Sequence, residues 1–201
     1  MRARPVTLGC GVALAVVVLV PPLDHWSRQS LAVHMLQHVV LMSFAPPLVV
    51  LGLPRLRVPV PPWAAWLAIS VDMGVWHVPA LYDAALRRPA LHALEHASYL
   101  VLGVVFWSPV LRRGLADVWS LVYVTTGSVP GWILALVLTF APRPLYPAYA
   151  QLAHRLGGIS ALSDQQAAAG VMVAFGSIPF AIAVFLTLYR WLGAEQRPLA
   201  A

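Results

Sequence analysis

The chain has 201 residues, is 60% hydrophobic and only 10% charged, and carries a formal net charge of +6. So few polar groups cannot clothe the surface of a water-soluble domain of this length, which excludes a soluble globule and points to a membrane protein. The basic excess, all of it arginine, then reads as residues flanking membrane spans and not as a nucleic-acid surface, and the lone Cys10 excludes a disulfide framework or a cysteine metal site within one chain.

Six apolar runs are long enough to cross a hydrocarbon core about 30 Å thick. The first, 6–23, follows Arg2 and Arg4 and has the outline of a signal peptide, but Pro21-Pro22-Leu23 extends it to membrane length, so it is read as an uncleaved helix. The others are 31–53, 63–79, 91–111, 118–141 and 167–192. The fold class expected is all-α, a polytopic transmembrane bundle forming one domain over 1–201. Prolines at 46–47, 130 and 179 are expected to kink three spans and free backbone carbonyls inside the bundle. The longest connection, 142–166, carries Tyr146 and Tyr149 among apolar residues and should lie along the membrane interface.

Arginine placement orients the spans. With the N-terminus inside, Arg2, Arg4, Arg55, Arg57, Arg112, Arg113, Arg190 and Arg197 are cytoplasmic, while Arg28, Arg87, Arg88, Arg143 and Arg155 are outside. That bias of eight to five predicts a bacterial cytoplasmic (inner) membrane protein with both termini in the cytoplasm.

This orientation, drawn from arginines alone, sends all seven histidines to the outer side. His25 and His154 fall in outer loops and read as interfacial residues. His34 and His38 lie in the outer half of the second span, His77 at the outer end of the third, and His92 and His96 at the outer start of the fourth. Residues four apart share a helix face, with Cβ atoms about 5–6 Å apart, so each H-x-x-x-H pair can reach one ion. His34, His38, His77, His92 and His96 are therefore the candidate metal ligands. Imidazole suits copper, zinc, iron and nickel alike.

Two carboxylates inside spans, Asp72 and Glu95, are costly there and become ligands or partners that orient ligating histidines. Glu95 favours the orienting role, against a salt bridge to Arg87 or Arg88. Asp164 reads equally as a ligand or as a helix cap in Ser163-Asp164-Gln165-Gln166. Met35, His38 and Met42 follow a helical spacing, and Met73 lies one turn from His77. Thioether with imidazole tilts the metal towards Cu(I), although packing explains methionines equally.

The segments His34-Met35-Leu36-Gln37-His38, Ala45-Pro46-Pro47-Leu48, Trp76-His77-Val78-Pro79, Tyr82-Asp83, His92-Ala93-Leu94-Glu95-His96 and Asp164-Gln165-Gln166 resemble the CtaG family of cytochrome c oxidase assembly factors. The likeness runs from about residue 30 to 192, and positions 34, 38, 77, 92, 96 and 164 match the family's polar motif. It implies a non-enzymatic role in maturing haem–copper oxidases. The expected partners are the copper-carrying oxidase subunit and periplasmic copper chaperones within membrane lipid, with no nucleic acid. Val173 departs from the tryptophan common in the family, and relatives often have seven spans.

Three other functions stay open on the residues alone. A haem b cytochrome would use His38 and His96 as axial ligands. A membrane-embedded zinc hydrolase would use three histidines with Asp72 or Glu95 as base. A copper transporter would need polar residues continuing through the inner half, and these spans carry almost none.

Overall fold

The computed structural model describes residues 4–53, 56, 58–112 and 114–195, and among them the regular structure is entirely helical. The arginines at 2, 55, 57, 113 and 197, part of the orientation argument, lie outside the described residues.

Proline opens α1 (Pro5–Leu19), where its missing N–H costs nothing, and α1 leads to the short α2 (Leu23–Ser27). Ser30 caps α3 (Leu31–Val39), which runs through a π-helical turn, Val40–Phe44, into α4 (Ala45–Gly52). Pro46 lacks the N–H that a regular helix would give to the Met42 carbonyl four residues earlier. The indole N–H of Trp107 donates to that carbonyl at 3.3 Å. The helix carrying Trp107 comes this close because Gly103 faces Pro46, where a Cβ would stand 2.6 Å from the proline ring.

α5 (Pro62–Trp76) and α6 (Pro79–Arg87) meet at 76°, with His77 at the corner. Pro79 disfavours helical geometry in the residue before it and restarts the helix in a new direction. The third span therefore ends at Trp76, short of the expected 79. α7 (Pro89–Leu111) and α8 (Asp117–Phe140) are continuous despite Pro109 and Pro130. A four-residue α9 (Pro147–Ala150) precedes α10 (Ala161–Ala174) and α11 (Ser177–Glu195). α10 begins at 161, not 167, because the Ser160 hydroxyl accepts from Ser163 N–H and caps it there. Pro179 falls in the first turn of α11, so the break precedes it, between Ala174 and Ser177.

Among the described residues, four helical stretches are long and apolar enough to cross a membrane: Leu31–Gly52, Pro89–Leu111, Asp117–Phe140 and Ala161–Gly193. The bent pair α5–α6 makes a fifth. The sixth expected span is α1, whose 15 residues reach only about 22 Å at 1.5 Å per residue. Its expected extension to residue 23 fails because the helix stops at Leu19.

The helices alternate between two chemically different ends. At one end Arg4 N–H donates to Gly52 O at 3.1 Å and Arg190 pairs with Asp117 at 3.7 Å. There, too, the Arg112 guanidinium donates to the Val50 and Leu53 carbonyls at the end of α4. At the other end lie α2, the α5–α6 corner, α9 and the starts of α3, α7 and α10. Between them Leu41, Ala45, Met73, Trp76 and Tyr99 form a buried core. Phe106, Trp107 and Tyr123 pack nearer the arginine end. Leu31, Met35, Leu138, Ala168 and Ala169 pack nearer the other.

Candidate metal centre

α3 and α7 enter the bundle from the same end, so their two H-x-x-x-H pairs stack in register. The rings of His34 and His38 are 4.4 Å apart between centroids, and those of His92 and His96 4.2 Å. Across the helices His34 stands 5.1 Å from His92, and His38 stands 5.3 Å from His96. The α5–α6 corner brings His77 to 5.9 Å from His38. The structure gathers all five candidate ligands into one cluster, buried except for a half-buried His92. His25 and His154 are exposed and take no part; His25 contacts Gln29 at 2.8 Å.

Hydrogen bonds decide which ring nitrogens are free. The Tyr149 hydroxyl donates to Ser27 O at 2.7 Å, so its contact with His34 Nδ1, also 2.7 Å, must be one it accepts. His34 therefore carries its proton on Nδ1 and presents a lone pair at Nε2. That nitrogen lies 3.3 Å from His92 Nε2. His77 Nδ1 donates to the Met73 carbonyl at 2.8 Å, which leaves its Nε2 lone pair 3.4 Å from the Met35 sulfur. Among the described residues, both ring nitrogens of His38, Nε2 of His96 and Oε1 of Glu95 are buried without a hydrogen-bond partner. Each such group costs about 1–3 kcal/mol. A bound cation would offset that cost, and the exposed lone pairs are the donors it needs.

Ligand atoms converge in two groups, His34/His92/His96 and His34/His38/Glu95, each within 4.8 Å of one another. Glu95 is buried and stands 3.5 Å from His38 Nε2. Among the described residues neither Arg87 nor Arg88 pairs with Glu95, and Arg87 reaches Asp83 at 3.8 Å. Asp72 is engaged away from the ring cluster: it accepts from Trp76 Nε1 at 2.9 Å and from Ser98 Oγ at 3.0 Å. Of the three methionines singled out, Met35 brings its sulfur to His77, whereas Met73 meets that ring through its backbone carbonyl. Met42 and Met73 line a separate cavity with Phe106, Trp132 and Phe180.

Asp164 takes a role that local sequence does not reveal. One carboxylate oxygen accepts from Leu31 N–H at 2.7 Å; the other accepts from Ser30 Oγ at 2.7 Å and Ala32 N–H at 3.2 Å. It caps α3, the helix of His34 and His38, whose N-terminal dipole favours a negative charge. Its own helix is capped by Ser160.

Four tyrosines wall the histidines. Tyr82 stands 5.3 Å from His34 and Tyr99 4.7 Å from His38 between ring centroids, and Tyr146 donates to the His77 carbonyl at 3.3 Å. Tyr149 reaches His34 from the 142–160 connection. Burial, and after it the charge of Asp164, push its hydroxyl well above the usual value, so it stays protonated at neutral pH. Tyr149 and Tyr99 were not legible as site residues, because nothing near them in sequence marks a contact across 115 or 61 positions.

An opening leads to the cluster. A cavity open to the surface is bordered by Asp24, Ser27, Arg28, Pro89, His92 and His96. The mouth thus lies beside the 24–30 and 80–90 segments, while the 142–166 connection contributes Tyr146 and Tyr149 to the wall of the cluster.

A family model described as cytochrome c oxidase caa3 assembly factor (Caa3_CtaG) matches residues 1–194. Comparison with curated proteins and comparison with solved structures each gave no match.

Proposed function

The chain belongs to the cytochrome c oxidase caa3 assembly factor family, and from that premise we propose that it holds a copper ion in its histidine cluster for delivery to the oxidase. The observation that carries this is the convergence of five histidines, two of which, His38 and His96, hold buried ring nitrogens without a hydrogen-bond partner among the described residues, an arrangement that is costly without a cation and well suited to one. His34, His38, His77, His92 and His96 would hold the ion, with Glu95 contributing charge. Asp72 and Asp164, whose oxygens are already occupied, support the structure around it. Imidazole does not by itself distinguish copper from zinc. The Met35 thioether beside His77 adds a soft donor and favours Cu(I).

Direct ring-to-ring packing supports chelation over a haem, which needs a slot for the porphyrin between its axial imidazoles. Assembly-factor membership supports a non-enzymatic role over zinc hydrolysis. The role requires contact with the oxidase, and in this reading the recipient is the subunit that carries copper, with periplasmic chaperones as the source. The end of Arg4, Arg112 and Arg190 would face the cytoplasm of a bacterial inner membrane and the histidine end the periplasm, as the eight-to-five distribution of arginines along the sequence suggests.

The test is copper stoichiometry in purified protein. Wild type should carry copper, and His34→Ala with His38→Ala should lose it while the helical circular dichroism is unchanged. Equal copper content in the two proteins would refute the reading.

A further inference from the structure

Both groups of convergent ligand atoms contain His34. Its Nδ1 proton is committed to Tyr149, whose own proton goes to Ser27, so Nε2 carries the one lone pair the ring can offer. One lone pair serves one ion at a time. We propose that the two groups are alternative positions for a single ion, and that His34 is the ligand the ion keeps while passing between them. This rests on the copper-binding reading and adds a route to it.

The positions differ in access. The outer one, His34/His92/His96, borders the open cavity through His92 and His96. The inner one, His34/His38/Glu95, consists of buried residues only. Moving inward exchanges His92 and His96 for His38 and Glu95, two ligands for two, with no bond made or broken in the protein and no change of oxidation state. The receiving atoms wait without hydrogen-bond partners among the described residues, which is what an acceptor site requires. The carboxylate of Glu95 compensates the positive charge where water cannot. The outer position captures and releases the ion, and the inner position shelters it.

The full chain, purified in detergent, is loaded with Cu(I) under anaerobic reducing conditions. The bound ion is counted, and its removal by a water-soluble Cu(I) chelator is timed. Wild type should bind one ion per chain and release it slowly. His38→Ala/Glu95→Gln keeps the outer position, so it should still bind one ion but lose it about tenfold faster or more. Glu95→Gln alone, nearly isosteric, carries the same expectation if the double variant does not fold. Two ions bound per wild-type chain, or release from the inner-position variants at the wild-type rate, would overturn the alternating positions and leave copper binding intact. Failure of wild type to bind any Cu(I) would instead overturn the reading on which the proposal rests.

Discussion

Deleting the hydroxyl of Tyr149 removes the acceptor that holds the His34 proton on Nδ1 and the donor that satisfies Ser27 O. Tyr149→Phe leaves every proposed ligand in place but frees the His34 ring to take either tautomer. Loss of such an orienting partner typically weakens metal binding about 10–100-fold. Competition against a chelator of known affinity should show that drop, with little change in helix content; unchanged affinity would mean the tautomer is fixed by something else. At this scale the histidines were legible because i, i+4 spacing is a local property of helices. The choice of nitrogen was not, since Tyr149 lies 115 positions from His34. Asp72 was legible as an unusual residue in a span, and its Ser98 partner was hidden because it comes from another helix.

Helix identity followed from hydropathy, and helix ends followed less well. The break at His77-Val78 is the X-Pro boundary expected before Pro79, yet apolar content alone carried the reading past it. The α3–α4 span joins a capped start, a π-helical turn and a proline pair, and it stays one element because outside groups answer its orphans: Asp164 at the first turn, Trp107 at Met42 O. Asp164→Ala strips an acceptor from two backbone N–H groups and one serine hydroxyl. The expected cost is about 1–3 kcal/mol, seen as a lower midpoint of thermal unfolding in detergent. Asp164→Asn, which keeps one acceptor oxygen, should recover part of it. Equal midpoints for wild type and Asp164→Ala would show that the cap contributes nothing. Gly103→Leu acts on the same span from the other side, since its side chain would collide with Pro46 and Met42 O. It should fail to insert as a stable monomeric bundle, judged by gel filtration.

Across the whole molecule, polarity is divided between the ends. Arg4, Arg112, Arg190 and Asp117 lie at one, and the histidines lie at the other with Asp24, Asp83 and Asp164 and with Arg28, Arg87 and Arg155. The division was legible in outline because charge near spans follows the membrane's two sides. The shortness of α1 was not, because the two prolines at 21–22 belong to the apolar run while lying beyond the helix. The helices at either end of the described chain both reach the arginine end, so both termini should be cytoplasmic. A reporter active only in the periplasm should therefore be silent when fused after Ala201. Strong activity there would reverse the proposed orientation.

The cap on α3 also gives the site an order of completion. His34, His38, His77, His92 and His96 are all synthesised by residue 96, whereas Tyr149 and Asp164 follow at least 53 residues later. A growing chain thus has the proposed ligands before it has the groups that orient His34 and anchor α3, and on the copper-binding reading it should hold the ion only weakly while its translation is unfinished. A chain ended at residue 141 should insert, keep all five histidines and bind Cu(I) at least about tenfold more weakly than the full protein. Supplying residues 142–201 as a separate polypeptide should restore retention. Full-strength binding by the short chain alone would mean that the ligands are competent from the moment they enter the membrane.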